Sequence, residues 1–401
     1  LVQTDPNRTL VKAVLLSGSS LTIMSGAIIS PSLPAMLDHF SDIPYAEYLV
    51  RLVLTLPALF IALVSPVSGL IIDRFGRKFV LLAGLFLYGI AGTSAVFLDS
   101  LHHILITRAF LGIAVAAIMT TITTLIADYY DGTTRANVMG LQAASIGIGG
   151  MIYLTTGGLL AEIVWNAPFI IYIASLILIP LTLVAIYEPV VRNNLSSAEI
   201  EIRYTNDRRE LIKVLPLLLG IYLLMFLVQL IFYTVPTQLP FYLRALTGAN
   251  AIKIGIAIAS STLFSAIASY MYGRISIRIS YMQIVIISLF LTGSGFTIIS
   301  YSTTYYHVLI GLFFSGLGVG LFMPNVTMWL SVIAPAAYRG RALGGLTASI
   351  FIGHFLSLII IQPFITNFGF IHTFFFIGLI QIGIAFLFLS IRGVFFSGKN
   401  R

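Results

Sequence analysis

Long apolar stretches alternate with short polar breaks along the whole chain. Twelve such stretches lie at roughly 13–37, 49–72, 79–98, 104–127, 137–160, 166–187, 214–236, 252–273, 281–300, 305–330, 342–366 and 369–391. Each approaches or exceeds the roughly 20 apolar residues that cross the hydrocarbon core of a bilayer as a helix. The breaks are mostly too short for a separate soluble domain. An all-α membrane protein with twelve transmembrane helices is therefore expected.

The stretches fall into two sets of six related by an internal repeat. Gly69, Gly112, Met119, Arg135 and Gly140 have counterparts 204 residues on at Gly273, Gly316, Met323, Arg339 and Gly344. Pro31-Ser32-Leu33-Pro34 in the first span is echoed by Pro236-Thr237-Gln238-Leu239-Pro240 in the seventh. An even number of spans per half makes the repeats parallel, and such transporters hold solute between their halves near mid-membrane. The expected organisation is a six-helix bundle over 1–187, a cytoplasmic linker over 188–213 with a surface helix at 199–213, and a second bundle over 214–401. Small residues at Gly316 and Gly320, and at Gly340 and Gly344, have the four-residue spacing of close helix packing.

One polar break has an ordered pattern: Gly69-Leu70-Ile71-Ile72-Asp73-Arg74-Phe75-Gly76-Arg77-Lys78. Gly69 permits close helix approach, Asp73 shares its helical face, Gly76 permits a tight turn, and Arg77 and Lys78 sit at the water boundary. This Gly-x-x-x-Asp-Arg-x-Gly-Arg-Lys pattern, between the second and third spans, resembles the loop motif of the major facilitator superfamily of secondary transporters. The drug/proton antiporter branch is the nearest likeness. The resemblance implies two pseudo-symmetric six-helix bundles (the major facilitator fold) working by alternating access. It also implies a conformational latch of Gly69, Asp73, Arg74, Gly76, Arg77, Lys78 and Asp128. In that latch Gly69 packs on the eleventh span, and Asp73 pairs with Arg77 and meets that span near 341–345.

Composition supports a bilayer setting. The chain is 58% hydrophobic and 9% charged, against roughly 25% charged in soluble proteins. The net charge of +8 then reports orientation rather than nucleic-acid binding. Arg51, Arg244 and Lys253 fall at one side and Arg108 within a span. The other 18 of the 22 basic residues fall on the opposite side, which the positive-inside rule makes cytoplasmic, with both termini. A bacterial cytoplasmic (inner) membrane is the expected location, and a monomer the expected state. With no cysteine, disulfides and thiolate chemistry are excluded. No metal site, cofactor or enzyme constellation is evident; His102-His103 is read as an interfacial pair.

Few polar groups enter the spans. Arg108, in the fourth, is costly to bury unless it is paired or faces water; with Gly112 four residues on it also resembles a second superfamily motif linked to proton coupling. Its alternative is a side chain snorkelling to the outer interface. No carboxylate lies deep in a span, so His354, mid-way along the eleventh, is the buried titratable candidate for coupling, with Asp38 and Glu47 at outer ends as rivals. The alternative for His354 is a packing role. Met24, Tyr222, Gln229, Tyr233, Asn325 and Trp329, with Arg108, are candidate cavity side chains on the first, fourth, seventh and tenth spans, suited to amphipathic organic molecules.

Family exporters often carry Gly-Pro-x-x-Gly-Gly in the fifth span. This chain reads Tyr153-Leu154-Thr155-Thr156-Gly157-Gly158, keeping the paired glycines and replacing the Gly-Pro step. The expected function is proton-coupled efflux of a drug-like compound or secreted metabolite. Arg108 motivates an alternative, an importer or facilitator of an anionic or zwitterionic metabolite. A non-transporting membrane sensor or scaffold is the alternative of another class.

Overall fold

The computed structural model describes residues 9–189, 197–335 and 338–396. Among them all regular structure is helical, and eleven helical stretches are long and apolar enough to cross a membrane. The last of these, Arg339–Ser390, holds two spans. Gly369 breaks it with a positive φ of 76°, a conformation that glycine reaches without steric cost. Twelve spans result, as the apolar pattern requires.

Two spans are broken where the prolines sit. The first runs as Thr9–Ala27, a short 3₁₀ turn at Ser30–Ser32 and Leu33–His39. The seventh runs as Ser197–Phe232 and Thr234–Thr247. In each, prolines that lack an N–H interrupt the helical ladder at the same place in the repeat. The residues from 197 to 213 do not form a separate surface helix; they continue into the seventh span as one helix. The part of the expected linker at 190–196 lies outside the described residues, as do the extreme termini.

The chain forms two compact units. One contains Leu1–Asn194 with Pro236–Phe241 and Asn250–Ile256; the other contains Leu195–Val235, Tyr242–Ala249 and Ala257–Arg401. Their interiors repeat the same packing. In the first, a Cβ built on Gly112 would lie 2.5 Å from the Pro57 carbonyl oxygen and 2.8 Å from Phe60. In the second, a Cβ on Gly316 would lie 2.5 Å from the Ser261 carbonyl oxygen and 3.2 Å from Phe264. All three positions are offset by 204 residues, so the repeat read from isolated landmarks is a repeat of helix contacts. The second and fourth spans meet in one bundle as the eighth and tenth do in the other.

The first unit is pinned by tyrosines that reach buried carbonyls of the first span. Tyr88 donates to the Leu21 carbonyl at 2.7 Å and Tyr172 to that of Ser25 at 2.8 Å. The second unit has an apolar core that includes Leu218, Met225, Phe322, Val326, Leu330 and Leu346. In a bilayer these buried contacts hold helices together by packing and hydrogen bonds, because lipid tails are as apolar as the side chains.

Candidate functional site

The loop cluster forms where the second span ends. Gly76 closes that helix, its N–H bonding to Ile72 at 2.9 Å, and turns the chain with φ 86° so that Arg77 opens the next helix. Arg77 then reaches two carboxylates. Its Nη2 lies 3.7 Å from Asp73 one turn back, and its Nε donates to Asp128 of the fourth span at 3.1 Å. Lys78 Nζ donates to the Leu183 carbonyl of the sixth span at 2.8 Å. Of the seven expected latch residues, the structure thus brings together Asp73, Gly76, Arg77, Lys78 and Asp128. Arg74 lies apart, its guanidinium 5.6 Å from the Phe75 ring. A Cβ on Gly69 would meet nothing within 4 Å.

A residue outside the motif completes the cluster. Both carboxylate oxygens of Glu188, which follows the sixth span, accept backbone bonds at the start of the third: Arg77 N–H at 2.7 Å and Lys78 N–H at 2.9 Å. These are two of the donors that every helix start leaves without an internal partner, and a negative charge there also suits the helix dipole. The adjoining Tyr187 is held by Tyr129, whose hydroxyl donates to its carbonyl and accepts from its N–H, with the two rings stacked 4.5 Å apart.

Arg108 is neither snorkelling nor exposed to a cavity. Its side chain is fully buried, and Nη2 donates to the carbonyls of Ala91 and Gly92 at 3.2 and 3.0 Å. The guanidinium lies over the rings of Phe169 and Tyr172, at 4.8 and 5.1 Å. Gly92 leaves room for this arrangement, since a Cβ there would overlap the Tyr172 ring. The aromatic faces and helix carbonyls supply part of the negative potential that a desolvated cation needs, while Nε and Nη1 make no hydrogen bond among the described residues. Arg108, expected to face a solute charge, thus has its partners inside its own unit.

The other expected charges spread out. Asp38 is exposed at the outer end of the first span. Glu47 is exposed 3.8 Å from Arg51 Nη1. Arg51 was placed by sequence only as a charge that counts for topology, yet it is buried, with Nε donating to Gln238 at 2.8 Å and its guanidinium 3.9 Å from the Phe241 ring. His354 is half-buried inside its span, stacked on Tyr233 at 4.0 Å and 13° with Phe351 edge-on. Gly353 allows this stack by letting the eleventh span approach the seventh: a Cβ there would lie 2.8 Å from the Phe226 carbonyl oxygen.

Three expected cavity residues are buried. Met24 and Asn325 are fully buried and Gln229 nearly so. Asn325 spends its amide on the Tyr281 carbonyl at 2.9 Å. Tyr222, Tyr233 and Trp329 remain partly accessible, though the Tyr222 hydroxyl donates to Ala342 at 2.9 Å. Apolar residues surround these helices on every side, so identity alone did not show which face they occupy.

A groove that sequence reasoning missed lies in the first unit between the first and fifth spans. It encloses about 390 Å³ and is lined by apolar side chains, among them Leu16, Leu141, Ile148 and Ile152, and by the hydroxyls of Ser17, Ser20, Ser145 and Tyr153. The helices approach at Gly149, where a Cβ would lie 2.8 Å from that of Ser20. Cross-links from Gln142 to Ser19 at 3.1 Å and from Ser145 to the Leu16 carbonyl at 2.8 Å hold them.

Known proteins resemble this chain over most of its length. It is 24% identical over 335 residues to Multidrug resistance protein 1 of Bacillus subtilis (strain 168), covering 82% of both chains. It is 26% identical over 341 residues to Tetracycline resistance protein, class B, of Escherichia coli, again covering 82% of each. A crystal structure of a D-xylose-proton symporter superposes with a TM-score of 0.81 at 17% identity, covering 94% of this chain and 96% of the other. The model of the Major Facilitator Superfamily matches twice, over residues 15–250 and 221–394. With the twelve spans, the repeated helix contacts and the loop cluster, these matches establish that the chain belongs to the major facilitator superfamily.

Proposed function

We propose that this secondary transporter exports a small amphipathic organic solute in exchange for protons. The observation that carries the reading is the likeness, over 82% of the chain, to relatives named for multidrug and tetracycline resistance. The loop cluster supports it physically. Asp73, Arg77 and Asp128 form a charge network that can be made or broken as the transporter switches, which needs two states separated by only a few kcal/mol.

In this reading His354 carries the coupling proton. It lies within a span, stacked on a tyrosine, where Asp38 and Glu47 are at exposed ends. Tyr222, Tyr233 and Trp329 contribute to the solute path. The complete burial of Arg108 speaks against the rival reading, import of an anionic metabolite, because no solute reaches the guanidinium. The protein moves its solute without converting it, acts as a monomer in a bacterial cytoplasmic membrane, and keeps both termini on the cytoplasmic side. The halves follow 1–187 and 214–401.

The test is a screen of labelled organic solutes in everted membrane vesicles that acidify their interior. At least one solute is expected to accumulate inside, and to leak away when an uncoupler is added. Accumulation that ignores the uncoupler contradicts proton coupling, and a uniformly inert panel contradicts export.

A further inference from the structure

We propose that Gln229 and Tyr233 of the seventh span are positioning residues for the protonated form of His354, the Tyr233 ring facing the imidazolium and the Gln229 side-chain carbonyl accepting its added N–H. The inference rests on the transport reading above, in which His354 carries the coupling proton, and adds to it the groups that hold the charge.

A cation has little to pair with at this place. The segments that pack on the eleventh span carry no Asp, Glu, Lys or Arg over 214–235, 281–300, 305–333 and 342–391. Their other titratable side chains are tyrosines and two histidines near span ends, His307 and His372. On its own helix the nearest charge is Arg341, thirteen residues before His354 and so about 20 Å away along the axis. On the seventh span the nearest are Lys213, sixteen residues before Gln229, and Arg244, eleven after Tyr233. A protonated imidazole here must therefore be stabilised by dipoles and ring faces rather than by a counter-ion.

The geometry brings two such groups to His354. Gln229 and Tyr233 are one helical turn apart, with the Tyr233 N–H bonded to the Gln229 backbone carbonyl at 3.0 Å, so their side chains share a face of the helix. Gly353 lets the eleventh span approach that turn: a Cβ there would lie 2.8 Å from the Phe226 carbonyl oxygen and 3.4 Å from Gln229 Cβ. His354, the next residue, lies flat on Tyr233, with ring centroids 4.0 Å apart and 13° between the planes. The negative face of an aromatic ring attracts a cation placed over it.

Gln229 supplies the second, independent observation. Its side chain is buried, 4% exposed, and its Oε1 has no hydrogen-bond partner. Leaving a buried acceptor unpaired is costly, and few such atoms survive in native structures without a reason. Neutral imidazole carries one N–H and the protonated ring carries two. Protonation of His354 thus creates, beside Gln229, the donor that this acceptor lacks. The proton is taken from water on one side of the membrane and returned to water on the other, so nothing else is consumed.

The test is direct titration. Full-length protein with isotope-labelled histidine, held in lipid nanodiscs, gives magnetic-resonance signals from its six histidines, and His354→Gln identifies the one in question. Gln229→Leu should lower the His354 midpoint by about one pH unit, the loss of one hydrogen bond to a charged group, and Gln229→Glu should raise it. Tyr233→Leu should lower it by about half a unit, whereas Tyr233→Phe, which keeps the ring, should stay near the wild type. A packing role alone would not send the two Gln229 variants in opposite directions.

A midpoint unmoved by Gln229→Leu, or one that Tyr233→Phe lowers as far as Tyr233→Leu does, would overturn the arrangement. So would a His354 that stays neutral throughout the pH range in which the protein is folded. Proton-driven flux in proteoliposomes separates this from the underlying reading. Flux that survives in His354→Gln, with the midpoints moving as stated, keeps the arrangement and removes His354 from coupling. Flux lost in His354→Gln with unmoved midpoints does the reverse.

Discussion

Removing the Glu188 carboxylate should slow transport without unfolding the protein. The side chain makes two backbone bonds, to Arg77 and Lys78 N–H, at 2.7 and 2.9 Å. It fits against Gly76 so closely that a Cβ there would lie 3.0 Å from its carboxylate. Losing a cap of this kind costs about 0.5–2 kcal/mol, and losing the charge at the helix start about 0.3–1 kcal/mol. Because Glu188 is exposed, water recovers part of both, and a net loss of about 1–1.5 kcal/mol is expected. That loss falls on the turn that aims Arg77 at Asp73 and Asp128. Each 1.36 kcal/mol is a factor of ten in rate, so Glu188→Ala should reduce maximal flux about five- to tenfold with little change in KM. Glu188→Gln, which keeps one acceptor but no charge, should fall between. The assay is initial-rate flux in proteoliposomes at matched protein content, with a thermal melt of each variant. Wild-type flux in Glu188→Ala would refute the clamp, and so would a flux loss matched by an equal loss of folded protein.

Further predictions follow from the same geometry. Asp73→Asn should cut turnover strongly while expression holds, because it removes one of the two carboxylates that face Arg77; normal flux in that variant would contradict the latch. Arg108→Ala should lower the melting temperature and expression, since it deletes two carbonyl bonds and two cation–π contacts worth about 3 kcal/mol together; a folded, fully stable variant altered only in solute affinity would refute the packing role. Gly112→Val and Gly316→Val should each destabilise the protein by about 1–3 kcal/mol or more through overpacking, whereas Gly140→Ala, at a site with nothing within 4 Å, should melt like the wild type.

Much of the architecture was legible because its signals are local. A span needs only a run of apolar residues, and the loop motif needs only ten consecutive positions whose turn is fixed by Gly76. The repeat showed itself at the glycines that helices require for close contact, Gly112 and Gly316. Glu188 was invisible by comparison: it lies 111 residues from Arg77 in sequence and meets it only once six helices have folded. Arg51 likewise looked like an outer-loop charge until Gln238 and Phe241 were folded against it.

The solute path was harder to read for a different reason. A bilayer helix is apolar on every face, so Met24 and Asn325 carried no periodic sign that they are fully buried. The groove hydroxyls gave no sign either, since Ser17, Ser20 and Tyr153 are ordinary residues in membrane helices until Gly149 brings two helices together. Tyr153 drew notice only as a departure from the exporter pattern.

The central claim, that a proton gradient drives solute through two repeated six-helix halves, is tested most directly by solute flux under an imposed pH difference. Proteoliposomes of the pure protein, acid inside, should concentrate a transported solute above its external level, and should lose or reverse that accumulation when the gradient is collapsed or inverted. Equal solute levels on both sides under every gradient would contradict it.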